Sequence, residues 1–439
     1  MPIRYHIAGR RAAEIAASVE RGIRDGEIGT GRQLPPVRAL AGRLGVSAAT
    51  VASAYRELRL RGLVSGAGRQ GTTVTTRGPV TPRGRPHFAP GVRDLANGNP
   101  DPALLPDLRR HLTAIDPAHV LYGRPAADEA LLELARQSFE RDGVPSGHLA
   151  VAGGAMDAID LVLSSHLRPG DRVAVEDPCY SGVTDLVAML GLVPRPVAID
   201  DSGPLPDSLA AALEGGTAAC LLSPRAQNPF GSVLQPGRAA DLAAVLRRHP
   251  GVLLVEDDHA FDITQAAAAT LCFEERPRWA QVRSVSKSLG PDLRVAVVAG
   301  DPTTVARLET RRLLGAGWVS HLLQRLVVSL WSDSSVKALV AHAAATYSCR
   351  RQTLLDSLTA RGIAAHGRSG LNVWIPVAHE DATVQALLQR GWGVLAGERF
   401  RINAGRAIRV TIASLEVDEA ESFAADLAAA LAPRPSRLA

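Results

Sequence analysis

Ser284-Val285-Ser286-Lys287-Ser288-Leu289-Gly290-Pro291-Asp292-Leu293-Arg294 sets one lysine in a small, hydroxyl-rich turn with an arginine seven residues on. The 439-residue chain has two lysines, Lys287 and Lys337, against 47 arginines. Arginine serves wherever a fixed positive charge is enough, so a retained lysine points to chemistry that arginine lacks. A buried lysine can lose its proton and attack a carbonyl; a guanidinium cannot. The turn around Lys287 therefore suits a Schiff base to an aldehyde phosphate, with hydroxyls and Arg294 at hand for the anion. Lys337 has no such neighbours in sequence and reads as an ordinary surface lysine.

Outward from this turn, apolar runs alternate with Ala/Leu-rich helical stretches. The runs are 149–152, 172–175, 218–223, 252–255 and 295–299. Buried strands alternating with helices predict an α/β sheet with its site along one edge. Four strand ends carry suitable groups. Gly153-Gly154-Ala155 opens a helix whose free N–H groups can hold a phosphate. Tyr180 could cover a flat ring, Asn228 offers an amide, and Asp257 could hold a pyridinium N–H. Asp258 is an equal candidate by type; Asp257 is preferred because it directly ends the strand. A lysine Schiff base with a carboxylate at the ring nitrogen is the arrangement that pyridoxal phosphate uses. Singly, each group also reads as a turn or a cap; their order at successive strand ends is what joins them.

The length allows two or three domains. Mean hydropathy is +0.04, and no apolar run reaches the roughly 20 residues of a membrane helix. The N-terminus has no apolar signal region, so a cytoplasmic protein with no membrane partner is expected. Four dispersed cysteines, with no Cys-x-x-Cys, predict reduced thiols and no metal site. The net charge of +5 is uneven. Residues 1–80 hold 13 arginines and five acids, a surplus of eight positive charges, which suits a polyanion.

Within that basic segment, Ile15, Val19 and Ile23 share a helical face. A second helix begins around Pro35-Pro36-Val37 and carries Leu40, Ala41 and Leu44. Gly45 breaks it, and Ser47 is placed to cap a third helix through Val51, Tyr55 and Leu58. Helix, short glycine turn and Ser-capped helix is helix-turn-helix spacing. Two β-prone runs around a Gly/Arg tip after Leu63 read as a wing. The candidate contacts to double-stranded DNA are Arg38, Ser47, Thr50, Arg56, Arg69 and Gly71. Residues 76–93 are Pro/Gly/Arg-rich and predict an extended linker. The expected division is 1–75 for the winged helix-turn-helix and 94–439 for the α/β domain, its large part about 94–325 and its small part about 326–439.

The N-terminal segment resembles GntR-type regulators in Leu34-Pro35-x-x-x-Arg38-x-Leu40-Ala41, Val46-Ser47-x-x-Thr50-Val51 and Gly68-x-x-Gly71-Thr72-x-Val74. Ala48 and Ala52 stand where such regulators often carry arginine. The region from about Leu95 onward resembles fold-type I, aspartate-aminotransferase-like PLP proteins, and the combination resembles MocR regulators. Gly98-Asn99-Pro100-Asp101-Pro102, Val173-Ala174-Val175-Glu176-Asp177-Pro178-Cys179 and Trp318-Val319-Ser320-His321-Leu322-Leu323-Gln324 bring it close to the PtsJ-like branch.

The resemblance implies pyridoxal 5′-phosphate as cofactor. It implies a Schiff base at Lys287, Asp257 at the ring nitrogen, Asn228 at the phenolic oxygen and Tyr180 on the ring. Gly154, Ala155, Ser284 and Arg294 are implied at the phosphate, joined by Tyr122 of the neighbouring subunit. Arg409 is implied at a substrate carboxylate. His259 stands where the family often has a tyrosine near the ring oxygen, and Met156 replaces a polar residue of the phosphate loop. The implied protein is a homodimeric regulator that senses PLP, alone or as an adduct with an amino acid or amine, and acts on vitamin B6 metabolism. Its N-terminal domain would pack on the other subunit. An active aminotransferase with an accessory DNA-binding module is the alternative, and a cofactor reservoir without a gene target is a third reading.

Overall fold

The computed structural model describes residues 5–29, 31–60, 63–65, 71–74, 86–267 and 269–432. They form two units, taken in turn. The first has three helices, α1 (Ala12–Arg24), α2 (Val37–Leu44) and α3 (Ala48–Leu60). Ile15 and Val19 of α1, Leu40 and Ala41 of α2, and Val51, Tyr55 and Leu58 of α3 are buried in one core. Their spacing puts each set on a single helical face.

Pro36 precedes α2 rather than opening it. Gly45 ends α2 in the left-handed region at φ 64°, where a side chain would be strained. The Thr50 N–H then donates to Ser47 Oγ at 3.1 Å, the expected cap of α3. Strands Val64–Ser65 and Thr73–Val74 pair antiparallel. Arg69 and residues 75–85 lie outside the described residues.

The second unit is built on an eight-stranded sheet. Its order is Leu149–Ala152, Ala296–Gly300, Trp279–Ser284, Leu253–Asp257, Thr217–Leu222, Arg172–Asp177, Val193–Asp200 and Gly203–Pro204. The strands from Trp279, Leu253, Thr217 and Arg172 run parallel to one another. Ala296–Gly300 runs against both of its neighbours, so Leu149–Ala152 shares the parallel sense. Five C-terminal ends therefore meet at one edge. Leu131 and Phe139 of helix Glu129–Arg141, Leu242 of helix Pro236–Arg247 and Leu330 of helix His321–Ser332 share a core with Val151, Ala174, Leu254 and Val297. A second core joins helix Ser334–Thr359, a three-stranded sheet and helix Glu419–Leu431. No helix among the described residues is long and apolar enough to cross a membrane.

Two strands run past the apolar stretches that predict them. Residues 172–177 and 253–257 carry Glu176-Asp177 and Glu256-Asp257 inside the ladder, all four buried. Burial is tolerable where such carboxylates find donors. Glu256 accepts from the Leu271 N–H, Thr270 Oγ1 and Gln281 Nε2.

The next residue, Asp258, anchors an ion network. Arg225 donates to both of its oxygens at 2.7 Å, and Arg283 Nε donates to it at 3.1 Å. Both arginines also bond Asp142, which they hold below the usual carboxylate range although burial works the other way. The Arg283 side chain is 1% exposed and lies over the Phe139 and Phe261 rings. Two cations face two anions, so removing one partner strands a buried charge. Asp258→Ala is expected to cost about 3–5 kcal/mol, read as a lower urea midpoint for the second unit.

Candidate functional site

The five strand ends surround a cleft of about 1000 Å³, counted with its open mouth. Lys287, Asp257, Tyr180, Asn228, His259, Ala155, Ser284, Arg294 and Arg409 all line it. Parallel strands put these residues at one edge although they span more than 250 positions. Lys287 leaves the end of strand Trp279–Ser284, and its Nζ donates to the Gly98 carbonyl at 2.8 Å. Ser284 and Ser286 hydroxyls are 2.9 Å apart beside it.

The choice between the two aspartates has a geometric answer. Successive residues of a strand face opposite sides. Asp258 is committed to Arg225 and Arg283, so Asp257 faces the cleft. Asp257 lines the cleft, and its Oδ1 is buried and accepts no hydrogen bond among the described residues. Its Oδ2 lies 3.6 Å from His259 Nδ1. Burial alone would lower the His259 pKa, but the Asp257 carboxylate outweighs it and the net direction is up. His259 is thus tied to Asp257, whereas the resemblance implies a place near the ring oxygen.

At the glycine loop the cradle is narrower than the sequence suggests. The Gly153 N–H donates to Asp157 Oδ2 at 2.7 Å and is not free. Gly154 has φ 103°, and a Cβ there would stand 2.6 Å from Arg294 Nη2. Only glycine lets the guanidinium cross the loop, where Arg294 Nη2 donates to the Gly153 carbonyl at 2.8 Å. Ala155, Ser284 and Arg294 line the cleft beside this loop, whereas Gly154 is not among its lining residues. Met156 lines the wall beside them.

Arg409 is buried, donates to Asn228 Oδ1 at 3.3 Å and to the Ala96 carbonyl, and lies 4.8 Å from the Phe400 ring centroid. Tyr180 is 38% exposed at the cleft wall. Tyr122 lies outside the cleft, 91% exposed and edge-on to Trp318. In the first unit Arg38, Ser47 and Arg56 are exposed and Thr50 is half-buried, with its hydroxyl 2.8 Å from that of Ser47. Ala48, Ala52 and Arg56 form one exposed i, i+4, i+8 row on α3. Gly71 has φ 77° and packs on Gln33, a steric reason for glycine at that position.

Glu176 was not singled out by sequence reasoning, yet it lines the cleft. It accepts from the Ser223 N–H and from Gln227 Nε2, both at 3.1 Å. Burial pushes its carboxyl up to about 7 against those two hydrogen bonds, and Asp257 adds in the same direction. A polar residue closing an apolar strand run was the available signal.

The pattern of "Aminotransferase class I and II" matches residues 102–427, and that of "Bacterial regulatory proteins, gntR family" matches residues 11–74. The chain is 39% identical over 430 residues to the vitamin B6 salvage pathway transcriptional repressor PtsJ of Salmonella typhimurium, covering 97% of this chain and 99% of that protein. The chain belongs to the MocR-type regulators. The regulator TauR of Rhodobacter capsulatus is 27% identical, covering 86% of each chain. In fold, this MocR-type chain is similar to the kynurenine aminotransferase of Pyrococcus horikoshii, with TM-score 0.71, 19% identity, and 78% and 91% of the two chains covered. A buried acceptor at Asp257, an amine at Lys287 and a glycine cradle under Arg294 fit a pyridine aldehyde bearing a phosphate.

The raised Glu176 pKa has a measurable consequence. The folded value, about 7, lies above the ordinary 4.5. The cost of ionising it is therefore absent below 4.5, grows between 4.5 and 7, and is complete above 7. At about 1.4 kcal/mol per unit this is on the order of 3 kcal/mol. Glu176→Gln should lose less stability than the native chain between pH 5 and 8, measured by thermal unfolding of cofactor-free protein.

Proposed function

We propose that this MocR-type chain is a transcriptional regulator of vitamin B6 salvage genes. It binds double-stranded DNA through its winged helix and senses pyridoxal 5′-phosphate, alone or joined to an amino acid or amine. The observation that carries this reading is the end-to-end similarity to PtsJ, covering 97% and 99% of the two chains. The chain would act in the cytoplasm as a homodimer, with each N-terminal domain packed on the other subunit and Tyr122 reaching the partner's cofactor. The proposed division is 1–75, a linker at 76–93, and 94–439 with its small part from about 326.

When bound, the cofactor supplies an aldehyde on an electron-withdrawing ring. Lys287 supplies the amine for that aldehyde. Asp257 would accept a hydrogen bond from the protonated ring nitrogen, with His259 Nδ1 3.6 Å from its other oxygen. Asn228 donates toward the phenolic oxygen, and Tyr180 covers the ring. Gly154, Ala155, Ser284 and Arg294 hold the phosphate, and Arg409 is placed for an effector's carboxylate. On DNA, Ser47 and Thr50 sit at the N-terminus of α3. The Ala48 and Ala52 methyls offer apolar contact to a groove, and Arg38, Arg56, Arg69 and the Gly71 backbone serve phosphates and wing. Arg409 in the cleft also favours a second reading, aminotransferase activity; sustained turnover of an amino donor would promote it.

Two measurements test the regulator. Purified native protein should carry the visible absorbance of bound cofactor, and Lys287→Ala should lose it while keeping its circular dichroism. Footprinting should reveal a selective site upstream of its own or neighbouring genes. Arg38→Ala and Arg56→Ala should each weaken binding across sequences and reduce the slope of log K against log salt by about 1. The absence of any selective footprint sinks the regulator reading.

A further inference from the structure

Lys337, the second lysine, does not stand alone on the surface. It sits in the first turn of helix Ser334–Thr359, on the wall of a groove of about 1000 Å³, open mouth included. Helices Glu129–Arg141 and His321–Ser332 form the other walls, with Phe261 and Asp262 beneath. No lining residue is shared with the Lys287 cleft.

The groove has an apolar body. Phe261 and Trp331 meet edge to face at 6.2 Å and 83°, and Leu330 and Val340 extend their surface. Its charged lining groups are of both signs: Asp262, Arg141 and Lys337. Ser288 Oγ donates to Asp262 Oδ2 at 3.1 Å, and no other hydrogen bond to this carboxyl forms among the described residues. Burial raises its pKa to about 6, with the Ser288 hydrogen bond acting the other way. The Arg283 and Arg225 guanidiniums act on it electrostatically, but no ion pair to this carboxyl forms among the described residues.

We propose that this groove is a second ligand site, for an α-amino acid with an apolar side chain. The ammonium meets Asp262, the carboxylate meets Lys337 and Arg141, and the side chain lies on Phe261 and Trp331. A zwitterion satisfies both signs without a net charge to desolvate, and charge-assisted hydrogen bonds orient it. Apolar walls with a few convergent polar groups are the ordinary make-up of a small-molecule site.

The site backs onto the first. Asp262 is bonded to Ser288, the residue after Lys287. Ser138, another wall residue, accepts from Arg283 through its hydroxyl at 2.9 Å and its carbonyl at 2.6 Å, and Arg283 in turn bonds Asp258. An ammonium on Asp262 would pull on the Lys287 turn from behind.

Calorimetric titration of L-leucine and L-phenylalanine into the full-length native protein and into its Lys287→Ala form tests this. The Lys287→Ala form lacks the lysine assigned to the cofactor, so its result is independent of the cofactor reading. Saturable one-site heat is expected in the Lys287→Ala form, and a component of the same affinity in the native protein. Asp262→Asn and Lys337→Ala should each weaken that binding at least about tenfold, and Arg409→Ala should leave it in place. Because Lys337 is exposed, its truncation leaves the fold intact if Asp262→Asn does not. No saturable heat, heat that survives both changes, or heat that vanishes with Arg409→Ala would overturn the proposal.

Discussion

The clasp of Arg225 and Arg283 on Asp258 and Asp142 is the interaction on which the second unit depends. It links the strand ends at 222, 257 and 284 to the helix Glu129–Arg141, all beneath the cleft. A buried ion pair is weak evidence for net stability, since desolvation offsets the attraction. What this network supplies is parity. With Asp258 fixed on one side of its strand, Asp257 has to project from the other, into the cleft and toward Lys287. A neutral packed core in the same place could stabilise as well, but it would not dictate which of two adjacent carboxylates meets a ligand.

That parity also explains what sequence could and could not reveal. The Lys287 turn, the Ser47 cap of α3 and the glycine loop at 153–155 are local signals, and each was legible within a few residues. The strand ends were legible as a set because parallel strands bring their C-termini together by topology. The clasp was not legible, because its partners lie 25 to 141 positions apart and arginine is everywhere in this chain. Glu176 was hidden for a related reason. A strand was expected to end where apolarity ended, whereas tertiary donors from Ser223 and Gln227 carry it further. In sequence, Asp157, four residues on from Gly153, reads as a first-turn acid, and nothing local marks it as the acceptor that occupies the Gly153 N–H.

The cleft combines features that favour holding a ligand with features that blunt turnover. Arg294, Asp257 and Lys287 line one cleft, an arrangement that suits a phosphate, a ring nitrogen and a carbonyl carbon together. Met156 contributes no hydrogen bond to a phosphate, and His259 answers to Asp257 rather than to the opposite side of a ring. A sensor needs a bound state of different energy from the free one, because a ligand shifts an equilibrium only by its differential affinity for the two states. Rapid catalysis adds a demand for transition-state stabilisation that sensing does not impose.

The two lysines now share a logic. In a chain with 47 arginines, Lys287 and Lys337 each line a concavity, and the two concavities meet across Ser288 and Asp262. A fixed fork such as arginine binds a carboxylate more rigidly, whereas a lysine ammonium is a compact charge on a flexible stem. On a groove wall that flexibility lets one site accept side chains of different length. At Lys287 the relevant property is the neutral amine. The same residue type is thus retained for two distinct physical reasons, and the surface position of Lys337 is compatible with the second reason but not with the first.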